Sequence, residues 1–166
     1  TIASAPGKGT TVTLGLPTTC EGNPAMPIDE PPQALSRGGG QRILLVEDDS
    51  ALRAFARTAL SRMGYRIVEA ETGVAALELL ENDKDFDLLL TDIVMPGGVN
   101  GVNLARKAQL LHPELRILFT SGYAREALPK ERHVPSDIPM LNKPFRTIKL
   151  LQMVKDTLAR PVVLSK

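Results

Sequence analysis

The residues best suited to chemistry in this sequence are carboxylates that follow short apolar runs. Residues 87–96 read Asp-Leu-Leu-Leu-Thr-Asp-Ile-Val-Met-Pro, so one apolar run ends at Asp92. Such a run predicts a buried strand of a parallel sheet, and open α/β sheets bind ligands just beyond the carboxyl ends of their strands. Asp92 is therefore a candidate for a residue that takes part in chemistry. On this segment alone it could equally cap the next turn or helix.

Three other apolar runs end in polar groups of complementary types. The run at 42–46 is followed by Glu47, Asp48 and Asp49. The run at 116–120 ends at Thr120 and is followed by Ser121. The last run leads into Asn142 and Lys143. Because the carboxyl ends of parallel strands share one edge, we expect carboxylates, a hydroxyl and an ammonium to converge there.

Such a set of groups suits a metal ion and a phosphoryl group. Neighbouring carboxylates raise one another's pKa unless they are neutralised, and Mg²⁺ prefers one or two carboxylates with a phosphoryl oxygen. Ser121 could donate a hydrogen bond to phosphate, and Asp92 could act as a nucleophile that forms an aspartyl phosphate. Catalysis would then be mostly positioning and charge neutralisation.

Each of these residues also has a purely structural interpretation. Glu47 and Asp48 could be an acidic cluster favoured by the dipole of the next helix. Ser121 taken alone would more often be a turn residue, with Thr120 as its rival for the hydroxyl role, although the strand register favours Ser121. Lys143 taken alone would be a solvated surface charge.

The elements that must position these groups alternate between strand and helix patterns from residue 41 to residue 160. The predicted strands are 42–46, 65–69, 86–91, 116–120 and 138–141, and the predicted helices are 50–63, 73–80, 102–111, 124–128 and 147–158. Five strand–helix pairs predict an α/β fold with a doubly wound parallel sheet.

Composition narrows the class of protein. Hydrophobic residues make up 43% of the 166 residues, which is typical of a globular domain. The net charge of +1 does not by itself indicate nucleic acid, and no apolar stretch reaches the roughly 18 residues of a membrane span. No signal peptide is visible, and because the first residue is Thr1 we expect a piece of a longer protein. Cys20 is the only cysteine, which is compatible with a reducing compartment.

The four motifs together resemble the receiver domain of response regulators, the phosphoacceptor of two-component signalling. They are Ile-Leu-Leu-Val-Glu-Asp-Asp at 43–49, the run at 87–96, Ser-Gly at 121–122 and Lys-Pro-Phe at 143–145. They stand in the family's order and spacing, and the resemblance covers residues 41–160. It implies a five-stranded parallel sheet in the (βα)5 flavodoxin-like receiver fold.

The resemblance also implies a role for each matching residue. Asp92 would be the phosphoacceptor, Ser121 the switch hydroxyl, and Lys143 the contact to the phosphoryl group. The Lys143–Pro144 peptide bond would be cis. Four residues would hold Mg²⁺, directly or through water: Glu47, Asp48, Asp92 and Val94, the last through its backbone carbonyl.

Residues 1–16 resemble a different family. Residues 4–14 read Ser-Ala-Pro-Gly-Lys-Gly-Thr-Thr-Val-Thr-Leu and precede Leu16-Pro17, similar to the closing strand of a histidine-kinase ATP-binding domain. The other nucleotide-binding motifs of that family are absent, so this remnant could not bind ATP. Residues 17–40, rich in proline and ending in three glycines, would be a linker, and residues 161–166 a tail.

The two resemblances imply the C-terminal receiver of a hybrid sensor histidine kinase. The phosphoryl group would be exchanged with a histidine kinase domain in the same chain, or with a histidine phosphotransfer protein. We expect no nucleic-acid or membrane contact by this fragment, and a cytoplasmic location even where the parent protein is membrane-anchored. The fragment would catalyse its own phosphorylation, while the parent would be an ATP-dependent protein-histidine kinase.

Three features depart from the family's usual pattern. The loop at 96–101 is one residue longer than the common form, which its glycines permit. Met140 occupies a position where the family often has Tyr or Phe, and a flexible Met could fill that space without the same two-state switch; Tyr123 is a candidate substitute. Prolines at 129, 135 and 139 predict a short or irregular helix within 122–139.

Two other functions remain open from the sequence. A haloacid-dehalogenase-like phosphatase uses similar groups with Mg²⁺, but it needs a carboxylate two residues after the nucleophile, where this chain has Val94. A module that binds partners without taking phosphate would have no need of the acidic, hydroxyl and lysine positions, all of which are filled here.

Overall fold

The structure, a computed structural model, divides the chain into two compact units, Thr1–Glu30 and Pro31–Lys166. It describes residues 2–7, 9–13, 38–125 and 134–160.

The first unit contains an antiparallel hairpin of two short strands. Strand β1 (Ile2–Ala5) pairs with β2 (Gly9–Val12), and its described residues are all exposed. The sequence predicted a strand from residue 10 to residue 16; β2 begins one residue earlier and ends at Val12, and residues 14–16 lie outside the described part. The assignment of residues 1–16, 17–40, 41–160 and 161–166 to separate regions stays a prediction.

The second unit is built on one five-stranded parallel sheet, as the sequence predicted. Its strands are β3 (Arg42–Val46), β4 (Arg66–Ala70), β5 (Leu88–Asp92), β6 (Arg116–Ser121) and β7 (Met140–Asn142). Their order is β4-β3-β5-β6-β7 and every neighbouring pair is parallel, so β5 lies at the centre. The helices of its described residues are α1 (Ser50–Arg62), α2 (Gly73–Asn82), α3 (Gly101–Leu111) and α4 (Thr147–Ala159).

Helices cover both faces of the sheet, so the core has two halves. On one face Leu45, Leu90 and Leu118 belong to the cluster that includes buried residues of α1 and α4. On the other face Leu89 and Phe119 belong to the cluster with α2 and α3. Because strand side chains alternate between faces, residue parity assigns each strand-end group to a face.

The first helix begins with a cap that explains one of the three consecutive acidic residues. The Asp49 carboxylate accepts hydrogen bonds from the backbone N–H groups of Ala51 at 2.8 Å and Leu52 at 3.0 Å. These two bonds lower the pKa of Asp49 and satisfy two amides that would otherwise have no partner at the helix start. Asp49 therefore belongs to the helix, which leaves Glu47 and Asp48 for the edge of the sheet.

Several boundaries and one helix face differ from the predictions. The last strand was predicted at 138–141 but is β7, because Pro139 has no N–H for the ladder and Ile138 instead donates to the Pro135 carbonyl at 3.2 Å. Val74, predicted to face inward on α2, is 45% exposed, while Gly73 of the same turn is buried. The helix predicted at 124–128 falls mostly outside the described residues.

No helix in the described part of the chain is both long enough and apolar enough to cross a membrane.

Candidate functional site

Three carboxylates meet where β3 and β5 end. Ligand oxygens of Glu47, Asp48 and Asp92 lie within 4.8 Å of one another. Glu47 and Asp48 follow β3 directly, and Asp92 is the last residue of β5, the strand next to it in the sheet. The structure thus brings together the carboxylates that the sequence predicted would converge; their role as metal ligands stays a prediction.

The Lys143 ammonium joins two of these carboxylates. Its Nζ donates to Glu47 Oε1 at 2.9 Å and Oε2 at 2.7 Å, and to Asp92 Oδ2 at 2.6 Å. The side chains of Glu47 and Asp92 are only 5% and 9% exposed, so these charge-assisted bonds are largely screened from water. The Lys143–Pro144 peptide bond is cis, as predicted.

For both Glu47 and Lys143, burial and the ion pair between them shift the pKa in opposite directions. Burial raises the pKa of Glu47, as do the charges of Asp92 and Asp48, and the bond to Lys143 offsets this only in part. Burial alone would lower the pKa of Lys143, but its hydrogen bonds to Asp92 and Glu47 outweigh burial and raise that pKa. Lys143 therefore stays protonated through the neutral range and offsets the repulsion among the carboxylates.

Both carboxylate oxygens of Asp92 are held in place. The backbone N–H of Val94 donates to Oδ1 at 3.1 Å while Lys143 occupies Oδ2. Behind the residue, the first turn of α3 lies so close that a Cβ added to Gly101 would stand 2.0 Å from the Asp92 carbonyl oxygen. The Asp92 backbone is therefore fixed by close packing as well as by the sheet.

The loop between Asp92 and α3 has the glycine conformations that its extra length needs. Gly97 and Gly98 have φ of +92° and +89°, in the region that other residues rarely adopt. Val94 is half-buried within this loop. Its predicted role as a carbonyl ligand stays a prediction.

The two neighbouring hydroxyls at the end of β6 lie on opposite faces of the sheet. The register pairs Asp92 with Thr120, and parity places Thr120 on the face of Leu118 and Ser121 on the face of Phe119. Ser121 is fully buried, and its Oγ accepts a hydrogen bond from the Tyr123 N–H at 3.0 Å. Within the described residues no hydrogen bond joins Ser121 to the carboxylates, so its switch role stays a prediction.

The Thr120 hydroxyl is buried without a hydrogen-bond partner among the described residues. A buried hydroxyl that lacks a partner loses its hydration without compensation. Thr120→Val keeps the shape of the side chain and should raise the free energy of unfolding by about 1 kcal/mol, measured by urea denaturation.

A neighbouring threonine provides the matched control for that change. Thr91 is equally buried, but its hydroxyl donates to the Asp92 carbonyl at 3.0 Å. Thr91→Val should therefore lower the free energy of unfolding by about 1 kcal/mol. A loss of stability in Thr120→Val as large as that in Thr91→Val would show that the Thr120 hydroxyl has a partner after all.

The residues expected to form the conformational switch are not stacked together. Met140 begins β7, is half-buried, and packs against the core cluster on the α2–α3 side. Tyr123, the candidate substitute aromatic residue, is 58% exposed. The structure therefore packs a flexible thioether against the core beside Phe119, while the Tyr123 ring faces solvent.

Sequence reasoning missed Arg53, which contacts the loop between β3 and α1. Its guanidinium donates to the backbone carbonyl of Glu47 at 2.5 Å and reaches that of Asp48 at 3.4 Å. The sequence does place Arg53 near the acidic loop, because it lies one turn into the helix that follows that loop. A charged residue on a helix is, however, more often solvated, and only the structure shows which way it turns.

This fold and site define a class of α/β proteins that bind ligands at the carboxyl edge of a parallel sheet. A family model for the response regulator receiver domain matches residues 43–155. The chain belongs to that family, and it contains a receiver domain of two-component signal transduction, as the sequence predicted.

The chain matches both a relative of about the length of a receiver domain and a much longer sensor kinase. The response regulator receiver protein CpdR of Brucella abortus (strain 2308) is 41% identical over 118 residues, which cover 71% of this chain and 97% of CpdR. The sensor kinase CckA of the same organism is 34% identical over 164 residues, which cover 93% of this chain but only 17% of CckA. The second alignment therefore includes residues that precede the receiver match.

A solved structure of a relative contains a metal ion. The response regulator TrrA of Thermotoga maritima, in complex with Mg²⁺ and BeF, matches with a TM-score of 0.60 and 28% identity over 70% of this chain and 98% of its own. Receiver domains bind Mg²⁺ in an acidic pocket, and the donors here fit such an ion: all are carboxylate oxygens, and Asp48 is exposed while Glu47 and Asp92 are buried.

Proposed function

We propose that this chain accepts a phosphoryl group on Asp92 from a phosphohistidine, with Mg²⁺ held by Glu47, Asp48 and Asp92. The observation that supports it most is the arrangement around Asp92. One carboxylate oxygen accepts from the Val94 amide, the other lies 2.6 Å from Lys143 Nζ, and two further carboxylates lie within metal-binding reach. The sequence motifs alone required only that these residues share an edge.

In this proposal the chain's own residues position the group and neutralise charge. An Asp92 oxygen attacks phosphorus as the phosphorus–nitrogen bond of the donor breaks. The donor ring carries a proton on its other nitrogen, so the imidazole leaves as the neutral base. Lys143, which already donates to Asp92 Oδ2, donates a hydrogen bond to a phosphoryl oxygen. The Ser121 Oγ accepts from the Tyr123 amide, which leaves its own O–H to donate to the phosphoryl group. Mg²⁺, when bound, offsets the charge that develops on the phosphoryl oxygens.

An open depression beside the cluster offers the donor a route to the site. It is lined by Asp49, Ala51, Leu52, Lys143, Pro144 and Phe145. The Phe145 ring lies 6.5 Å from that of Phe55, which is 40% exposed. The depression thus places Lys143 next to an apolar patch on the α1 side of the fold.

We propose further that the natural protein is a hybrid sensor histidine kinase. The alignment with CckA extends upstream of the receiver domain, and residues 4–14 resemble the closing strand of a kinase ATP-binding domain. The phosphodonor is then the kinase domain of the same chain or a histidine phosphotransfer protein, and the receiver is cytoplasmic. The coding sequence upstream of Thr1 should contain the remaining nucleotide-binding motifs, and a start codon close to Thr1 would exclude this assignment.

The central test is the mass of the intact chain after incubation with acetyl phosphate. The chain should gain one phosphoryl group in the presence of Mg²⁺ and none in EDTA, and Asp92→Asn should gain none in either. Asp87→Asn is the matched control, because Asp87 precedes the same strand but bonds the Arg42 amide at the opposite edge of the sheet. A folded chain that gains no phosphoryl group under any condition would favour the partner-binding module.

A further inference from the structure

Arg53 bonds the loop that presents the acidic pair. Its guanidinium donates to the Glu47 carbonyl at 2.5 Å and lies 3.4 Å from the Asp48 carbonyl, and its own backbone N–H donates to the Asp49 carbonyl at 2.9 Å. One residue therefore contacts three consecutive carbonyls of the loop. The Arg53 side chain is only 17% exposed, and its bond to the Glu47 carbonyl is partly buried, while its contact with the Asp48 carbonyl is exposed.

The loop has few other restraints on its backbone. The Glu47 N–H still pairs with the Ala70 carbonyl at 3.2 Å, but regular pairing of β3 ends at Val46 and α1 begins at Ser50. In the part of the chain that the structure describes, Arg53 is the hydrogen-bond partner of both the Glu47 and the Asp48 carbonyl. Without Arg53, the backbone that aims the two carboxylates would depend on the Glu47–Ala70 hydrogen bond and the Asp49 cap.

The far side of the guanidinium is held by acidic residues at the end of β4. Nε lies 3.9 Å from Glu69 and Nη2 lies 3.7 Å from Glu71. Arg57, one turn further along α1, shares Glu69 at 3.3 Å. Arg57 has no hydrogen bond to the acidic loop among the described residues. The two arginines thus share a partner but differ in whether they touch the metal-site loop.

We infer that Arg53 is a positioning residue for the metal site, which holds Glu47 and Asp48 in the orientation that faces Asp92. This inference rests on the proposed function and deepens it. The positioning role and the charge of Arg53 predict opposite effects on Mg²⁺ affinity when Arg53 is removed. A cation next to a cation site repels the metal, so loss of the Arg53 charge alone should tighten Mg²⁺ binding. Loss of positioning should weaken it.

The test compares Arg53→Met and Arg57→Met in the full chain. Mg²⁺ is titrated while the backbone amide signals of residues 47–49 and 92 are followed by NMR, and urea denaturation in EDTA checks the fold. Arg53→Met should weaken Mg²⁺ binding about tenfold, the lower end of the loss seen when groups that orient metal ligands are removed. Arg57→Met should leave Mg²⁺ affinity within about twofold of the parent chain.

A metal-free readout separates a failure of the inference from a failure of the proposed function. In EDTA the Glu47 amide, which donates to the Ala70 carbonyl, should exchange with solvent faster in Arg53→Met than in the parent or in Arg57→Met. A parent chain that shows no Mg²⁺ response would contradict the proposed function, and amide exchange alone would then decide the role of Arg53. Unchanged or tighter Mg²⁺ binding in a folded Arg53→Met would overturn the inference.

Arg53→Lys provides a second variant in case the methionine variant does not fold. Lysine keeps the charge but lacks the planar fork that reaches two carbonyls. Positioning predicts Mg²⁺ affinity between those of the parent and Arg53→Met, with partial recovery of amide protection. An Arg53→Lys chain with parental affinity and parental amide exchange would show that charge alone matters and would refute the positioning role.

Discussion

Replacing Lys143 with methionine is expected to lower the free energy of unfolding by about 3 kcal/mol at neutral pH in EDTA. The change leaves Glu47 and Asp92 buried side by side without the ammonium that bonds both of them. Methionine keeps most of the apolar stem of lysine, so the loss reports charge rather than packing. In the presence of Mg²⁺, phosphorylation of Asp92 should also slow about 100-fold, as when one charge-stabilising donor is removed.

The stability of the Lys143→Met variant should depend on pH with a definite sign. Without the ammonium, burial and mutual repulsion raise the pKa of Glu47 further above its ordinary value. The folded state then holds a proton that the unfolded state releases, so stability is highest below the unfolded-state pKa and falls as pH rises through the folded-state pKa. Lowering the pH from 7 toward 5 should therefore recover part of the loss.

Urea denaturation at several pH values, with and without Mg²⁺, measures these effects. Lys149→Met is the control, because Lys149 is an exposed lysine at the start of α4. Mg²⁺ should stabilise Lys143→Met more than it stabilises the parent chain, because binding to the folded state replaces the missing positive charge. Equal stability of Lys143→Met and the parent in EDTA at neutral pH would show that the carboxylates find other compensation.

Gly101→Ala is expected to lower the free energy of unfolding by about 3 kcal/mol or more. The added Cβ would stand 2.0 Å from the Asp92 carbonyl oxygen and 3.0 Å from the Ile93 Cα. Both contacts are with backbone, so no side chain can turn aside, and α3 or the end of β5 must move. Because that strand end includes Asp92, we also expect slower phosphorylation in whatever fraction remains folded.

Gly122→Ala is the matched control for this prediction. A Cβ at Gly122 would meet no heavy atom within 4 Å, and its φ is not positive. That change should be neutral or stabilise the fold by about 0.5 kcal/mol through the entropy of the unfolded chain. Thermal unfolding of the two variants beside the parent gives both values. A Gly101→Ala chain that unfolds with the parent would mean that α3 shifts at little cost.

The sheet could be predicted because its inner strands, such as β3 and β5, are simple aliphatic runs buried on both faces. The run at 88–90 is Leu-Leu-Leu, each almost fully buried at the centre of the sheet. The convergence of Glu47, Asp48 and Asp92 followed from the same logic, because strand ends share an edge. These features depend on local pattern and on topology, and both can be read from sequence.

The features that sequence did not give depend on contacts between distant segments. Val74 fits the apolar stripe of α2, yet Gly73 is the buried residue because the Val99 carbonyl fills the space that its Cβ would take. Strand β1 has no strand pattern of its own and exists by pairing with β2. Arg53 could not be assigned because a guanidinium at that position can as easily point into water.

The single ammonium set among three carboxylates has a further consequence for the charge of the pocket. With Glu47, Asp48 and Asp92 ionised and Lys143 protonated, the pocket carries a net charge of −2. One divalent cation would balance that charge. A loaded pocket would therefore be electrically neutral. A phosphoryl group replaces one carboxylate charge with about two, and the balance turns negative again, so a partner can distinguish the two states by surface potential alone.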